Sequence, residues 1–296
     1  MTRRDFLSHT AAAGAALLGA TTARGASART PKNLQEIVGV KVAIATITMD
    51  GFGDKNFEPS FRMLPQLGIK NVEFNTWYPR NLTLDGIERI RQRSAEQGIR
   101  PICVQASAFG DGKAPDVAHK LWCMEAAKRL GARRVKFTGS KRGTNGGLEA
   151  VIGTLKELAP AAEEMGMLVL VENHASNVLE NIGDYDEIFS KIDSPNVGLC
   201  LDTAHFVGAG VDLMEVVKRF HSRTLHVDLK DNRTVGGGHE AVPYGTGVVK
   251  FEPFLDELMK HGYSGYLLLE LAHNIPKEPV LANLQSGHAM FKKYEA

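Results

Sequence analysis

Eight short apolar runs alternate with eight amphipathic stretches, and this alternation predicts an α/β protein built as a single (β/α)8 TIM barrel. A glycine follows five of the amphipathic stretches and precedes the next apolar run, as the C-cap glycines of helices do. The chain after residue 28 has 296 − 28 = 268 residues, which is enough for one large domain. An open, doubly wound sheet is the alternative, but no Gly-x-Gly-x-x-Gly motif follows the first apolar run.

The elements are predicted in order from their residue patterns. The strands are short and mostly rich in Val, Ile and Leu, at 40–47, 69–74, 100–105, 134–137, 167–172, 197–202, 224–229 and 265–271. The helices carry apolar residues at helical spacing, at about 57–67, 83–97, 115–130, 147–165, 184–192, 212–220, 250–261 and 279–294. No internal repeat or linker divides them, so the sequence predicts one barrel domain over residues 29–296.

The first 28 residues are predicted to be a cleavable twin-arginine signal peptide. Arg3 and Arg4 precede Asp5-Phe6-Leu7, a mild apolar stretch runs through residues 11–20, and Ala26-Ser27-Ala28 offers a cleavage site. The apolar stretch is too short to span a membrane. We therefore expect export by the twin-arginine route, to the periplasm or beyond, with no stable membrane anchor. A disordered basic tail is the alternative.

The charge balance argues against a nucleic-acid-binding surface. The chain has 35 basic and 34 acidic residues, and removal of residues 1–28 leaves 35 − 3 = 32 against 34 − 1 = 33. The three cysteines, Cys103, Cys123 and Cys200, are predicted to be free buried thiols, since two fall in predicted core strands. Trp77-Tyr78-Pro79, after the second strand, is expected to cover a substrate or to meet a second subunit of a homo-oligomer.

Four of the predicted strands have an acidic residue at their last or next-to-last position. These strand ends carry Glu172, Asp202, Asp228 and Glu270. In a parallel barrel the carboxyl ends of all strands lie at one mouth, which is where such barrels place their chemistry. Several carboxylates held together repel one another strongly unless a cation neutralises them. The pattern therefore predicts a divalent-metal site.

The motifs around these acids resemble those of the xylose-isomerase-like TIM-barrel proteins, a family of sugar phosphate isomerases and epimerases that also includes ketose 3-epimerases, inosose dehydratase and the apurinic endonucleases. The matching segments are residues 171–174, 201–205, 229–231, 243–247 and Glu270. The resemblance covers essentially the whole chain after the signal segment. It implies one divalent metal ion, with Mn or Mg favoured over Co or Zn. By position, the implied ligands are Glu172, Asp202, residue 228 and Glu270.

Residue 228 departs from the family pattern, which has a histidine there. This chain has Asp228, and His226 lies two residues earlier, on the same face of the strand but deeper in the barrel. Either Asp228 binds the metal, giving an all-carboxylate site suited to hard Mg, Mn or Ca, or His226 binds it while Asp228 orients the ring. A degenerate site that binds metal poorly is the third interpretation.

The predicted activity is that of a metal-dependent isomerase or epimerase, or of a dehydratase, acting on a sugar, keto-sugar or polyol. Glu172 and Glu270 are the predicted catalytic pair, which removes and returns a proton at the carbon next to a carbonyl. A bound metal would polarise that carbonyl. The predicted substrate-binding residues are Glu73, His174, His205 and Lys230. Epimerisation, isomerisation and dehydration share the first proton transfer, so the sequence predicts the chemistry and not the product.

Simpler structural interpretations and two other functions stand beside this prediction. Glu172 could be a buried partner of Lys136, Asp202 could cap a following helix, and Lys230 with Asp231 could be a solvated pair. One alternative function is a catalytically inactive barrel that binds a sugar or a protein partner. The other is a phosphodiesterase like the apurinic endonucleases, which His239 would suit. Asn75 and residues 105–107, however, stand where that branch needs histidines.

Overall fold

The computed structural model of the protein describes residues 37–52, 56–271 and 280–296. The barrel strands are β1 Val40–Ala45, β2 Asn71–Asn75, β3 Arg100–Gln105, β4 Arg134–Thr138, β5 Leu168–Glu172, β6 Val197–Asp202, β7 Thr224–Leu229 and β8 Gly265–Leu269. They close into a parallel barrel in the order β1-β8-β7-β6-β5-β4-β3-β2. The predicted fold class is confirmed. The proposed signal peptide lies outside the described residues.

Helices follow the strands around the outside of the barrel. They are α1 Ile47–Asp50, α2 Glu58–Leu67, α3 Leu84–Glu96, α4 Ala114–Leu130, α5 Gly147–Met165, α6 Ile182–Lys191, α7 Thr203–Gly208, α8 Leu213–Phe220, α9 Phe251–Lys260 and α10 Val280–Phe291. Short 3-10 helices span Pro79–Leu82, His221–Arg223 and Lys292–Tyr294. Across the described part of the chain, none of the helices has the length and apolar character that a membrane span requires.

Three predicted strands, β3, β6 and β7, match the observed bounds, and the other ends shift by one or two residues. Two short helices, α1 and α7, were not predicted. They have four and six residues, too few to display a helical period. A two-stranded antiparallel ribbon, Asp231–Asn232 with Ala241–Val242, also lies in the segment between β7 and β8. This ribbon shapes the mouth beside Lys230, which immediately precedes it.

The larger hydrophobic core lies between the barrel and the surrounding helices. Helix α8 shows how the sequence builds it: Leu213, Val216, Val217 and Phe220 are buried at helical spacing. Asp212 caps this helix, because its side chain accepts a hydrogen bond from the Met214 amide. Each such apolar side chain stabilises the fold by roughly 1.5–3 kcal/mol when fully buried.

A smaller hydrophobic cluster fills the inside of the barrel. It includes Ala43, Cys103, Leu170, Cys200 and Leu268, and these side chains come from alternate positions of their strands. All three cysteines of the chain are free and buried, as predicted. The apolar cluster forms a floor under the charged residues of the strand ends.

Candidate active site at the carboxyl ends of the strands

Five acidic side chains meet above the apolar floor of the barrel. They are Glu73 on β2, Glu172 on β5, Asp202 on β6, Asp228 on β7 and Glu270 directly after β8, and all are buried. One oxygen from each of Glu172, Asp228 and Glu270 lies within 4.8 Å of the other two. The strand-end acids therefore converge at one end of the barrel, as the sequence pattern predicted for these three.

The ammonium group of Lys136 lies at the centre of these acids. Its Nζ is 2.6 Å from Asp228 Oδ2, 2.8 Å from Glu73 Oε1, 3.3 Å from Glu270 Oε2 and 3.8 Å from Glu172 Oε1. Lys136 is on β4 and is completely buried. Glu172 is thus a buried partner of Lys136, as in the simpler interpretation, but this contact is the longest of the four. The sequence analysis did not assign this central position, although a lysine within an apolar strand was the signal.

A second lysine, Lys230, lies closer to the mouth. Its Nζ is 2.7 Å from Asp202 Oδ2 and 2.7 Å from Glu270 Oε1, and its side chain is 5% exposed. Thr203 fixes the lysine backbone, since Thr203 Oγ1 donates to the Lys230 carbonyl at 2.7 Å and accepts from the Lys230 amide at 2.9 Å. The interpretation of Lys230 and Asp231 as a solvated pair is wrong, because both residues are buried.

Asp202 has two partners. Its Oδ1 accepts a hydrogen bond from the His205 amide at 3.0 Å and so caps α7, which agrees with the simpler interpretation of this residue. Its Oδ2 pairs with Lys230. Within the described residues, Asp202 belongs to neither group of side chains that lie close enough to share a metal ion. Its predicted role as a ligand stays a prediction.

His226 lies deeper in the barrel, in a second group with Cys200 and Asp228 whose possible ligand atoms are within 4.8 Å of one another. The distance from His226 Nε2 to Asp228 Oδ1 is 3.3 Å. Burial lowers the pKa of His226 by more than Asp228 raises it, so the ring is neutral near pH 7. The two side chains are neighbours, as the alternative in which Asp228 orients the His226 ring requires.

Glu172 and Glu270 are driven in opposite directions by their surroundings. Burial raises the pKa of Glu172 well above its usual value, and Asp228 and Glu270 add to the rise although Lys136 opposes it. Burial also raises the pKa of Glu270, but Lys230 and Lys136 outweigh it and leave the pKa below its usual value. A proton shared by this pair is therefore held preferentially by Glu172, and Glu270 is the carboxyl group that ionises more readily.

The remaining charges of the cluster follow the same physics. Burial raises the pKa of Glu73 to about 7 against the effect of Lys136, and that of Asp202 to about 6 against the effect of Lys230. Burial lowers the pKa of each lysine, but the surrounding carboxylates raise it further, to well above its usual value. Both lysines are therefore positively charged, and shared protons reduce the excess of negative charge.

A divalent metal ion does not fit this arrangement of side chains. Glu172, Asp228 and Glu270 offer an oxygen-rich donor set of the kind that hard cations prefer. An ion with carboxylate oxygens at about 2.0–2.6 Å would need the space between these residues. The Lys136 ammonium already occupies that space, at 2.6 Å from Asp228 and 3.3 Å from Glu270. An ion could enter only if the lysine left.

Three histidines lie side by side at the mouth, with His174 and His205 stacked and His205 and His239 tilted. The rings of His174 and His205 have centroids 3.8 Å apart, and those of His205 and His239 are 4.0 Å apart. Burial lowers the pKa of His205 well below its usual value, with Lys230 adding to the effect, so this imidazole is neutral. The sequence analysis singled out all three histidines but not their stacking, because residue 239 lies in a loop without a regular pattern.

Two amides hold Glu172 from the side of β2 and β3. Gln105 Nε2 donates to Glu172 Oε2 at 3.1 Å, and Asn75 Nδ2 donates to Gln105 Oε1. The sequence analysis placed both residues at strand ends but did not assign them this role. Glu73, a predicted substrate-binding residue, is fully buried and contacts Lys136. Its role toward substrate stays a prediction.

The fold and the site together define a (β/α)8-barrel protein with a buried cluster of acids and lysines at the carboxyl ends of its strands. The chain belongs to the xylose isomerase-like TIM barrel family, whose sequence model matches residues 61–294. Among curated relatives, the inosose dehydratase of Clostridium perfringens (strain 13) is 26% identical over 295 residues, which cover 86% of this chain and 96% of that protein. The inosose dehydratase of Histophilus somni is 25% identical, and the aligned residues cover 82% of this chain and 92% of that protein.

Solved structures agree on the fold. The IOLI protein with a binding zinc atom superimposes with a TM-score of 0.73 at 18% identity, covering 88% of this chain and 100% of that one. A D-tagatose 3-epimerase-like protein superimposes with a TM-score of 0.69 at 17% identity. The match covers 87% of this chain and 97% of that one. The D-allulose 3-epimerase from Methylomonas sp. superimposes with a TM-score of 0.69 at 14% identity. The match covers 86% of this chain and 98% of that one. These similarities confirm the family resemblance expected from the motifs.

Proposed function

We propose that the protein is an enzyme that transfers a proton at a carbon next to a carbonyl group of a sugar, keto-sugar or polyol. Isomerisation, epimerisation and dehydration all begin with this step. The observation that carries the proposal is the pair of buried carboxyl groups, Glu172 and Glu270, with oxygens within 4.8 Å of each other and pKa values shifted in opposite directions. Environments that separate two pKa values in this way are typical of an acid–base pair.

In this proposal Glu270 is the base and Glu172 the acid. Two lysines keep Glu270 ionised, so it can accept a proton from the substrate carbon. Glu172 carries a proton that it can return to the opposite face or to the neighbouring carbon, and the Gln105 amide holds its other oxygen. Return to the opposite face inverts the centre. Return to the former carbonyl carbon moves the carbonyl, because the hydroxyl proton of the first carbon then passes to the former carbonyl oxygen.

Lys230 is the residue we assign to the developing oxyanion. It carries a full positive charge near the mouth, and its backbone is fixed by Thr203. A preorganised cation beside an enolate oxygen stabilises the transition state more than the ground state. The neutral rings of His174 and His205 would donate to or accept from substrate hydroxyl groups.

The relatives support the substrate class. Inosose dehydratases are similar to this chain over most of its length, and an inosose is a cyclic polyol bearing a ketone. Structural neighbours include proteins described as ketose 3-epimerases. Both kinds of reaction require removal of a proton next to a carbonyl, so they support the shared first step.

Solvent exchange tests the proposal directly. The protein is incubated in D2O with a panel of ketoses, 3-keto-glycosides and inososes, and deuterium incorporation next to the carbonyl is followed by NMR. Glu270→Gln preserves the shape of the side chain but removes the base, so we expect exchange to fall by about 10²–10⁴-fold. Glu172→Gln should reduce product formation to a similar extent, because it removes the acid.

A matched control separates these effects from general damage. Glu187→Gln alters a half-exposed residue on α6 whose side chain pairs with the surface residue Lys191, so exchange should be unchanged. Wild-type exchange rates in Glu270→Gln would contradict the assignment of the base. Failure of every carbonyl compound of the panel to exchange with the wild-type protein would reject the activity and favour a barrel that only binds.

The predicted divalent ion conflicts with the position of Lys136. A Mn or Mg ion would use Glu172, Asp228 and Glu270 as ligands and would supply Lewis-acid polarisation, but it requires displacement of Lys136. The acid–base steps above use only side chains of the chain.

The predicted export rests on Arg3 and Arg4, and replacing both with lysine should retain the protein in the cytoplasm if the twin-arginine route is used. Fractionation of cells carrying the two forms measures this.

A further inference from the structure

We propose that the Lys136 ammonium group is the permanent cation of this site and that the protein works without a bound divalent metal. Four carboxylates from β2, β5 and β7 and from the residue after β8 surround Lys136 Nζ at 2.6–3.8 Å. The geometry is that of an ion in a cage of oxygens, with the ion supplied by a side chain of β4. The proposal concerns the cation of the site, whereas the proposed function concerns its acid–base pair.

The fold limits the positions that the Lys136 ammonium group can occupy. Its strand is paired on both sides, to Gln105 of β3 and to Leu170 of β5, so the backbone cannot withdraw without breaking the barrel. The floor beneath it is apolar, and Cys103, Leu170 and Cys200 are fully or nearly fully buried. An ammonium group moved into that floor would exchange its carboxyl partners for apolar side chains and the neutral ring of His226, which is unfavourable for a buried charge. The fold therefore holds the ammonium among the carboxylates.

The charges make the lysine and a metal ion mutually exclusive. The oxygens of Asp228 and Glu270 that contact Lys136 Nζ belong to the residues that would bind a divalent ion. An ion placed beside the retained ammonium would be repelled by it, and this repulsion is strong in a site screened from water. The lysine thus provides the neutralisation that the acids need and blocks the position where a metal would provide it.

Mn²⁺ binding tests the proposal without any measurement of turnover. The wild-type protein and three variants, Lys136→Met, Lys136→Arg and Lys230→Met, are dialysed against EDTA, returned to metal-free buffer and titrated with Mn²⁺ alone. The EPR signal of free Mn²⁺ reports the bound fraction. Lys136→Met frees the carboxylates with little change in volume, so we expect one equivalent to bind at least about 100-fold more tightly than to the wild type.

The two other variants are matched controls. Lys136→Arg keeps the central charge, so its Mn²⁺ affinity should stay at the wild-type level. Lys230→Met removes one positive charge from the same site but leaves Lys136 in place, so its affinity should rise by less than about 10-fold. A gain confined to Lys136→Met therefore distinguishes release of a specific position from a general change in charge.

The titration of the wild-type protein tests the proposal even if a variant does not fold. Wild-type protein that binds one equivalent of Mn²⁺ tightly, and loses it in Glu172→Gln, would overturn the proposal. Equal affinities of the wild type and a folded Lys136→Met protein, with folding checked by near-UV circular dichroism, would also overturn it. Absence of exchange with every sugar would instead reject the proposed function and leave this result unaffected.

Discussion

The two buried lysines of the site, Lys136 and Lys230, differ in depth and in the number of acids that they meet. Lys136 is fully enclosed and contacts four carboxylates, whereas Lys230 is 5% exposed and contacts two, Asp202 and Glu270. Glu270 bridges them, with one oxygen toward each lysine. The site therefore contains a deep cation and a shallow cation that share Glu270.

This difference explains how an acid cluster can be built into a barrel without losing the fold. An unpaired carboxylate in a dry interior is strongly destabilising, and five of them together are worse. The deep lysine neutralises the acids where water does not reach, which leaves the upper lysine and the acid–base pair available for chemistry. In the proposed function Lys230 serves the chemistry, while Lys136 balances the charge and also helps to keep Glu270 ionised.

The largest effect on stability is expected for Lys136→Met measured in the presence of EDTA. Loss of the ammonium leaves Glu73, Asp228 and their neighbours buried without a counter-ion, so we expect the free energy of unfolding to fall by about 3–5 kcal/mol. Urea denaturation followed by circular dichroism measures it. Lys128→Met, at an exposed position of α4, is the control and should change stability by less than about 0.5 kcal/mol. A Lys136→Met loss no larger than that of the control would show that the deep lysine does not balance the cluster.

Lys230→Met should change deuterium exchange into substrate more than it changes the stability of the protein. The shallow lysine neutralises fewer acids, so its loss should destabilise the protein less than Lys136→Met does. It removes the proposed oxyanion partner, so deuterium exchange into substrate should fall by about 10²–10³-fold. Exchange at the wild-type rate would remove Lys230 from the chemistry. A loss of stability equal to that of Lys136→Met would abolish the distinction between the deep and the shallow cation.

The barrel and the convergence of its acids could be predicted because both follow from local patterns. Apolar runs of strand length set the strands, and the period of two places Glu172 and Asp228 on the inner face at the carboxyl ends of β5 and β7. The helix-capping role of Asp202 was also foreseen as an alternative. These features depend on neighbours in the chain, which a single sequence contains.

The central role of Lys136 could not be predicted in the same way. Its four partners come from strands that are as far as 134 residues away along the chain, and their common centre depends on the register of strands around the closed barrel. A charged residue within β4 was visible, but its depth relative to Glu73 and Asp228 was not. The expectation of a metal followed from counting acids, whereas the structure shows a cation already supplied by the chain.

Thr203 offers a finer test of the shallow cation, because this buried residue bonds the backbone of Lys230. Thr203→Val removes the hydroxyl group that bonds both the amide and the carbonyl of Lys230, so we expect a loss of about 1–3 kcal/mol in the free energy of unfolding. A positioning role predicts that kcat falls more than KM changes, and that Thr203→Ser, which keeps the hydroxyl, restores kcat. A loss of stability with kcat unchanged would limit Thr203 to a structural role.

The smallest effect is expected at the surface, where Arg142 pairs with Asp184 at 2.8 Å. This pair has the same charges and a similar distance to those between Lys230 and Asp202, but the arginine side chain is 48% exposed. Water screens the pair and solvates the arginine alone, and Asp184 keeps its hydrogen bonds from the Glu180 and Asn181 amides, so Arg142→Ala should cost less than about 1 kcal/mol and leave deuterium exchange unchanged. Urea denaturation at low and at 0.5 M salt measures the difference, which should shrink further as salt rises. A loss as large as that of Lys230→Met would mean that burial does not set the scale of these ion pairs, and the contrast between the deep and the shallow lysine would then need another cause.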